Sequence, residues 1–190
     1  FFSASNISEG KVNAIENLDT ALMQLSVSYS RNGDDAKSLS KLKALVDSYS
    51  ESTSHLPLAL AEQGRIAFEL GDLEASRSAL ERFLEEDKKM LKSFSDGAED
   101  QRPRVMYYLG WVDSSESKYE SAAANFGKVL DLDTKHPLAS DAALQRGVSL
   151  VNVGDFKSSS KHLLDVIENY PKYAKLARVI YYAGISLARQ

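Results

Sequence analysis

Cysteine is missing from all 190 residues, which excludes disulfide staples and thiolate metal sites and leaves the redox compartment open, because the absence fits either side of a membrane. Proline is scarce: the four prolines stand at positions 57, 103, 137 and 171, and none interrupts a stretch of helical periodicity. No apolar run approaches the roughly 18 residues of a membrane-spanning helix, so this segment is not itself expected to span one. Basic blocks are missing too. The 23 basic and 27 acidic residues are mixed along the chain to a formal net charge of -4, which argues against a nucleic-acid surface. There is also no methionine at the start: Phe1-Phe2 is the beginning expected of a processed protein whose signal peptide or anchor was removed, or of a trimmed boundary.

What is there is an ordinary globular composition, 43% hydrophobic and 26% charged. Its most readable stretch runs from Asp141 to Tyr173. Ala143, Leu144, Val148, Leu150 and Val151 recur at helical spacing, Gly154-Asp155 interrupts them, and Phe156, Leu163, Leu164, Val166 and Ile167 resume the pattern until Asn169-Tyr170-Pro171 stops it. That is a helix, a tight turn and a second helix. Such a pair cannot bury its own apolar faces, so it predicts stacked copies of itself.

The copies are present. Val12, Ile15, Leu18, Leu22, Leu25 and Tyr29 give a first helix that ends near Asn32-Gly33, and Leu39, Leu42, Leu45, Val46 and Tyr49 give its partner. A second pair opens at Pro57, turns at Gly71-Asp72 and continues through Ala79, Leu80, Phe83 and Leu84. A longer junction follows, with a loop expected around residues 95–101. The third pair turns at Ser117, and after Pro171 one further helix is expected. Small residues at Ser26, Gly64, Gly110, Gly147 and Gly184 are spaced by 38, 46, 37 and 37 residues, and the turn residues Gly33, Gly71, Ser117 and Gly154 repeat the first three intervals. Two landmarks thus agree on one register. The expected organisation is an N-terminal stub over 1–11 and a single domain over 12–190, with pairs at 12–50, 57–93, 103–133 and 138–170 and a lone helix at 174–189.

Catalytic chemistry finds no foothold. His55, His136 and His162 lie far apart in sequence, with no second ligand at helical spacing. Gly127-Lys128 lacks the first glycine of a phosphate loop, no serine sits in a G-x-S-x-G elbow, and the acidic pairs alternate with Lys and Arg as on a solvated face. No enzyme, cofactor or metal is expected.

The pattern Gly147, Gly154, Phe156, Ser159, Leu163 and Pro171, echoed by Leu109, Gly110, Tyr119, Ala122 and Phe126, resembles the tetratricopeptide repeat, from which it departs by longer units and by serine at positions 38, 76 and 159 where that family prefers alanine. The junctions at 133–139 and 170–174 resemble those of bacterial envelope members, in the TolA-binding, BamD-like and YfgM-like groups. The resemblance implies an all-α right-handed superhelix of four helix pairs plus one terminal helix, acting as a non-catalytic scaffold or adaptor for a protein or peptide, periplasmic or envelope-associated, with the cytoplasm as the alternative. First helices then line a concave groove, which assigns Met23, Val27, Arg31, Arg65, Phe68, Arg104, Tyr107, Trp111, Leu144, Val148, Asn152, Tyr181 and Ile185 to partner binding. Packing of Trp111 between neighbouring helices is the competing reading. The family's clamp for a chain-terminal carboxylate is not expected, since Met23, Val27, Ala61 and Arg65 stand where its Lys and Asn residues belong. Apolar residues all round the last helix imply that the chain continues or that a second copy covers it, with Ile180, Tyr182 and Leu187 at the contact.

Overall fold

A computed structural model describes residues 17–89 and 100–190. Among them are nine α-helices and no strand: α1 (Leu18–Arg31), α2 (Asp35–Tyr49), α3 (Leu56–Glu69), α4 (Leu73–Lys89), α5 (Arg102–Ser115), α6 (Tyr119–Leu132), α7 (Ala139–Val153), α8 (Phe156–Asn169) and α9 (Leu176–Ala188). The expected start of the first helix at Val12, the helix end beyond Lys89 and most of the 95–101 loop lie outside the described residues.

The turn chemistry explains where the helices stop and start. Gly33, Gly71 and Gly154 adopt the left-handed backbone that closes a first helix, and the aspartate after each caps the second. Asp34 accepts from the Lys37 amide, Asp72 from the Ala75 amide and Asp155 from the Ser158 amide, at 3.2, 3.0 and 3.0 Å. Pro57 and Pro103 occupy the first turn of α3 and α5, where a missing N–H costs nothing.

The chain divides into two compact units, residues 1–89 and 90–190. In the first, α1 to α4 pack each on the next in sequence; in the second, α5 to α9 do the same and α7 also meets α9. The second unit has its core in two clusters. Ala122, Phe126, Val129 and Ala142 join α6 to α7, and Ala143, Leu144, Leu163, Val166, Val179 and Ala183 join α7 to α8 and α9.

Inside three of the four pairs one contact recurs. A Cβ on Gly64 would overlap Leu80, and one on Gly147 would overlap Leu163; on Gly110 it would stand 2.8 Å from the Phe126 ring. The glycines let a fully buried large side chain of the second helix rest on the first helix's backbone. The serines at the departing positions take part in the same contact. Ser76 Oγ donates to the Gly64 carbonyl at 2.8 Å, Ser159 Oγ to the Gly147 carbonyl at 3.0 Å, and the Ser26 and Ser38 hydroxyls meet at 3.0 Å. Buried hydroxyls that find a partner this close are stabilising contacts rather than defects in the repeat.

Candidate functional site

In the first unit the assigned residues sit on α1 and α3. Arg65 is held at all three of its nitrogens: Nε to Glu62 at 2.8 Å, one terminal nitrogen to Glu69 at 2.6 Å and the other to Ser30 Oγ at 3.2 Å. Burial would lower its pKa, but the two carboxylates together raise it. The guanidinium therefore stitches α1 to α3, one repeat apart. Thr20 Oγ1 and His55 Nε2, 3.1 Å apart, join α1 to the N-cap of α3. Phe68 and Val27 are partly buried and Arg31 is exposed. Met23 is 5% exposed and belongs to the core, so it offers no binding surface, contrary to the sequence expectation.

In the second unit Tyr107 and Trp111, one turn apart on α5, both set an edge against Phe126, with ring centroids 5.9 and 5.8 Å away, and lie 6.2 Å from each other. Trp111 thus packs on a neighbouring helix and keeps part of its surface in solvent. Tyr107 continues into a polar junction that sequence reasoning missed. Its hydroxyl donates to Asp141 at 2.7 Å, Tyr173 donates to the same carboxylate at 2.6 Å, and Lys175 pairs with it. Asp141, in the first turn of α7, so ties α5 to the start of α9. Burial alone would raise its pKa, but Lys175, Tyr173 and Tyr107 hold it below the ordinary carboxylate value, and burial beside that carboxylate pushes both phenols far up. Tyr107, Asp141 and Lys175 are each 34 residues apart, short of the chain's own intervals of 37 to 46, so the repeat register gave no signal for this junction.

Of the other residues assigned to the groove, Arg104 and Ile185 are partly buried, Val148 is partly buried against the α7–α9 core, and Asn152 and Tyr181 are exposed. Leu144 is fully buried there and cannot line a groove. Its helix is covered on two sides, by α6 and by α8, so helical spacing alone did not tell the inner faces from the open one.

All three histidines have structural partners: His55 with Thr20, His136 accepting from the Leu138 amide, and His162 bonded to the Ala143 carbonyl. No group of three metal-ligating side chains occurs among the described residues, and no helix there is long and apolar enough to cross a membrane.

Comparison with known proteins agrees with this geometry. Tetratricopeptide-repeat family models match residues 20–52, the α1–α2 pair, and residues 59–90, in the α3–α4 pair. No curated protein matches the sequence. Among solved structures the fold is similar to that of the MamA protein, with a TM-score of 0.64 at 21% identity over 86% of this chain and 79% of that one. It is also similar to a tetratricopeptide repeat protein from Parabacteroides merdae, with a TM-score of 0.71 at 14% identity over 91% of this chain and 60% of that one. These repeats are non-catalytic protein-interaction folds. The family matches, the all-α helix pairs and the recurring glycine contact converge: the chain carries tetratricopeptide repeats, a fold that serves protein–protein interaction.

Proposed function

We propose that the chain is an adaptor that holds a partner segment along the open face of its first helices, with Tyr107 and Trp111 as the anchors. The observation that carries this is their preorganisation. Two aromatic side chains that keep part of their surface in solvent are fixed in place, by Phe126 beneath both and by Asp141 at the Tyr107 hydroxyl, so little side-chain freedom is lost on binding. Arg104, Val148, Asn152, Tyr181 and Ile185 extend the surface within the second unit, and Arg31, Arg65 and Phe68 are the candidates of the first unit on α1 and α3. The working location is the bacterial envelope, supported by the style of the 133–139 and 170–174 junctions; fractionation of the native cells tests it.

The binding test is a photo-crosslinking amino acid at position 152, followed by identification of the captured partner in native cells and repetition with purified components. Trp111→Ala should abolish crosslinking while leaving the melting temperature within a few degrees. Retained capture by Trp111→Ala, or its loss only together with a collapse of the fold, would refute the anchor.

A second reading rests on α9, where Ile180, Tyr181 and Leu187 are 53%, 63% and 52% exposed. It makes the chain a structural subunit that pairs with a second copy through this face. Tyr182, expected at that contact, instead packs on the core and lies under the Arg178 guanidinium. Sedimentation across a concentration series decides: a strict monomer at high micromolar concentration rules out the pairing.

A further inference from the structure

Behind α7, on the side given to second helices, the second unit contains a pocket of about 460 Å³ lined by Leu130, Ala143, Arg146, His162, Val166 and Tyr170, with Lys135 and Asp165 among the residues at its margin. That volume lies within the ~300–1,000 Å³ of small-ligand sites. Three features set it apart from a packing defect. The Arg146 guanidinium is partly buried yet makes no hydrogen bond or ion pair with any described residue, although the chain as a whole is acidic. It lies against Gly127 of α6, where a Cβ would stand 3.2 Å from the guanidinium carbon, so a side chain there would crowd it. His162 Nε2 faces the Ala143 carbonyl at 2.9 Å; a carbonyl only accepts, so Nε2 carries the proton and Nδ1 of the neutral ring is a bare acceptor.

We propose that this pocket is a second binding site, which takes an acidic side chain of a partner polypeptide on the Arg146 guanidinium and an adjoining apolar side chain against Leu130, Val166 and Tyr170. A planar guanidinium with free donors matches a carboxylate in two parallel hydrogen bonds. Lys135 adds a second positive charge. Asp165 selects among anions, because its carboxylate repels a doubly charged phosphate about twice as strongly as a singly charged carboxylate. Burial, and then the Arg146 charge, hold His162 below its ordinary pKa against the opposing pull of the Ala143 hydrogen bond and Asp165, so the empty pocket has a neutral ring. A bound carboxylate offsets the Arg146 charge and draws the His162 pKa upward. Only the polypeptide nature of the ligand rests on the chain being a protein-binding repeat; the anion site stands on the pocket itself.

The test is a nuclear magnetic resonance titration of the full chain with the capped peptide acetyl-Ala-Glu-Leu-amide. Shifts should localise to Gly127, Arg146, His162 and Tyr170, with a dissociation constant of about 1–10 mM, as suits one ion pair and one apolar contact. The Gln peptide should bind at least about tenfold more weakly, Arg146→Gln should lose a similar factor, and Asp165→Asn should gain a few-fold. At saturation the His162 titration midpoint should move up, which a merely structural Arg146 would not produce. Arg146→Lys keeps the charge and serves if the Gln variant fails to fold: it should bind more weakly than Arg because it lacks the fork. Equal binding of the Gln peptide, tighter binding of inorganic phosphate, binding only of a peptide with a free chain end, or no localised shift would each overturn the proposal. Shifts confined to Tyr107 and Trp111 would support the adaptor face while overturning this site.

Discussion

The pairs α5–α6 and α7–α8 occupy the same register in one unit and fill it differently. In α7–α8 Gly147 faces Leu163, and twelve residues after the glycine Ser159 binds its carbonyl. In α5–α6 Gly110 faces the larger Phe126, and Ala122 stands at the serine's place. A polar bridge of the same span reappears displaced, as Asn125 Nδ2 donates to the buried Asp113 at 2.8 Å. The constraint common to both is the close approach of the helices at the glycine. Which large side chain fills the space and which polar pair accompanies it are free to vary, and the aromatic choice at 126 is what provides a bed for Tyr107 and Trp111.

That comparison is broken most severely at the glycines. Gly147→Ala and Gly110→Ala should each destabilise the fold by about 1–3 kcal/mol, because Leu163 and Phe126 are fully enclosed and have nowhere to move. Chemical denaturation measures the loss, and Leu163→Val should relieve the first substitution but not the second, since only neighbours couple. A smaller loss, about 1 kcal/mol, is expected for Ser159→Ala, which removes one hydrogen bond but leaves a residue that suits a helix. Ala122→Ser should give no matching gain unless Gly110 offers its carbonyl at the same distance; unfolding curves of the two variants side by side check this. The smallest effect reverses sign. A Cβ at Gly184 of α9 meets nothing within 4 Å, so Gly184→Ala should raise stability by about 0.5–1 kcal/mol, seen as a melting temperature a few degrees higher.

The contrast between Gly147 and Gly184 shows how far the sequence could be read. Both glycines fall on the same 37-residue rhythm, and that rhythm, with the Gly-Asp turns and the prolines between units, was enough to place the helix pairs and to identify the repeat. It said nothing of whether anything lies opposite. Leu144 and Met23 were misplaced for the same reason, since a first helix flanked by two second helices has more than one apolar face and the 3.6-residue period marks them all. The Asp141 junction and the Arg146 pocket were illegible for another reason. Their members come from positions about one repeat apart or from helices two elements apart, and a polar residue shows in the sequence as surface until its partner is located. Serine at 38, 76 and 159 looked like a departure from the family and is instead a buried hydrogen-bonding position.

Ser117 holds the remaining lesson of the turns. It adopts the left-handed backbone, φ 60°, that glycine supplies at 33, 71 and 154, and the lysine after it makes no side-chain cap, whereas the aspartates after those glycines do. An L residue there carries roughly 1 kcal/mol or more of strain that glycine avoids. The link between α5 and α6 is therefore under more tension than its counterparts, although the helices it joins hold the aromatic bed. Of the four turns, this link should open first, with the amides around residues 116–118 exchanging with solvent ahead of those at the other three, so that the aromatic bed is flanked by backbone released more readily than at any other described turn.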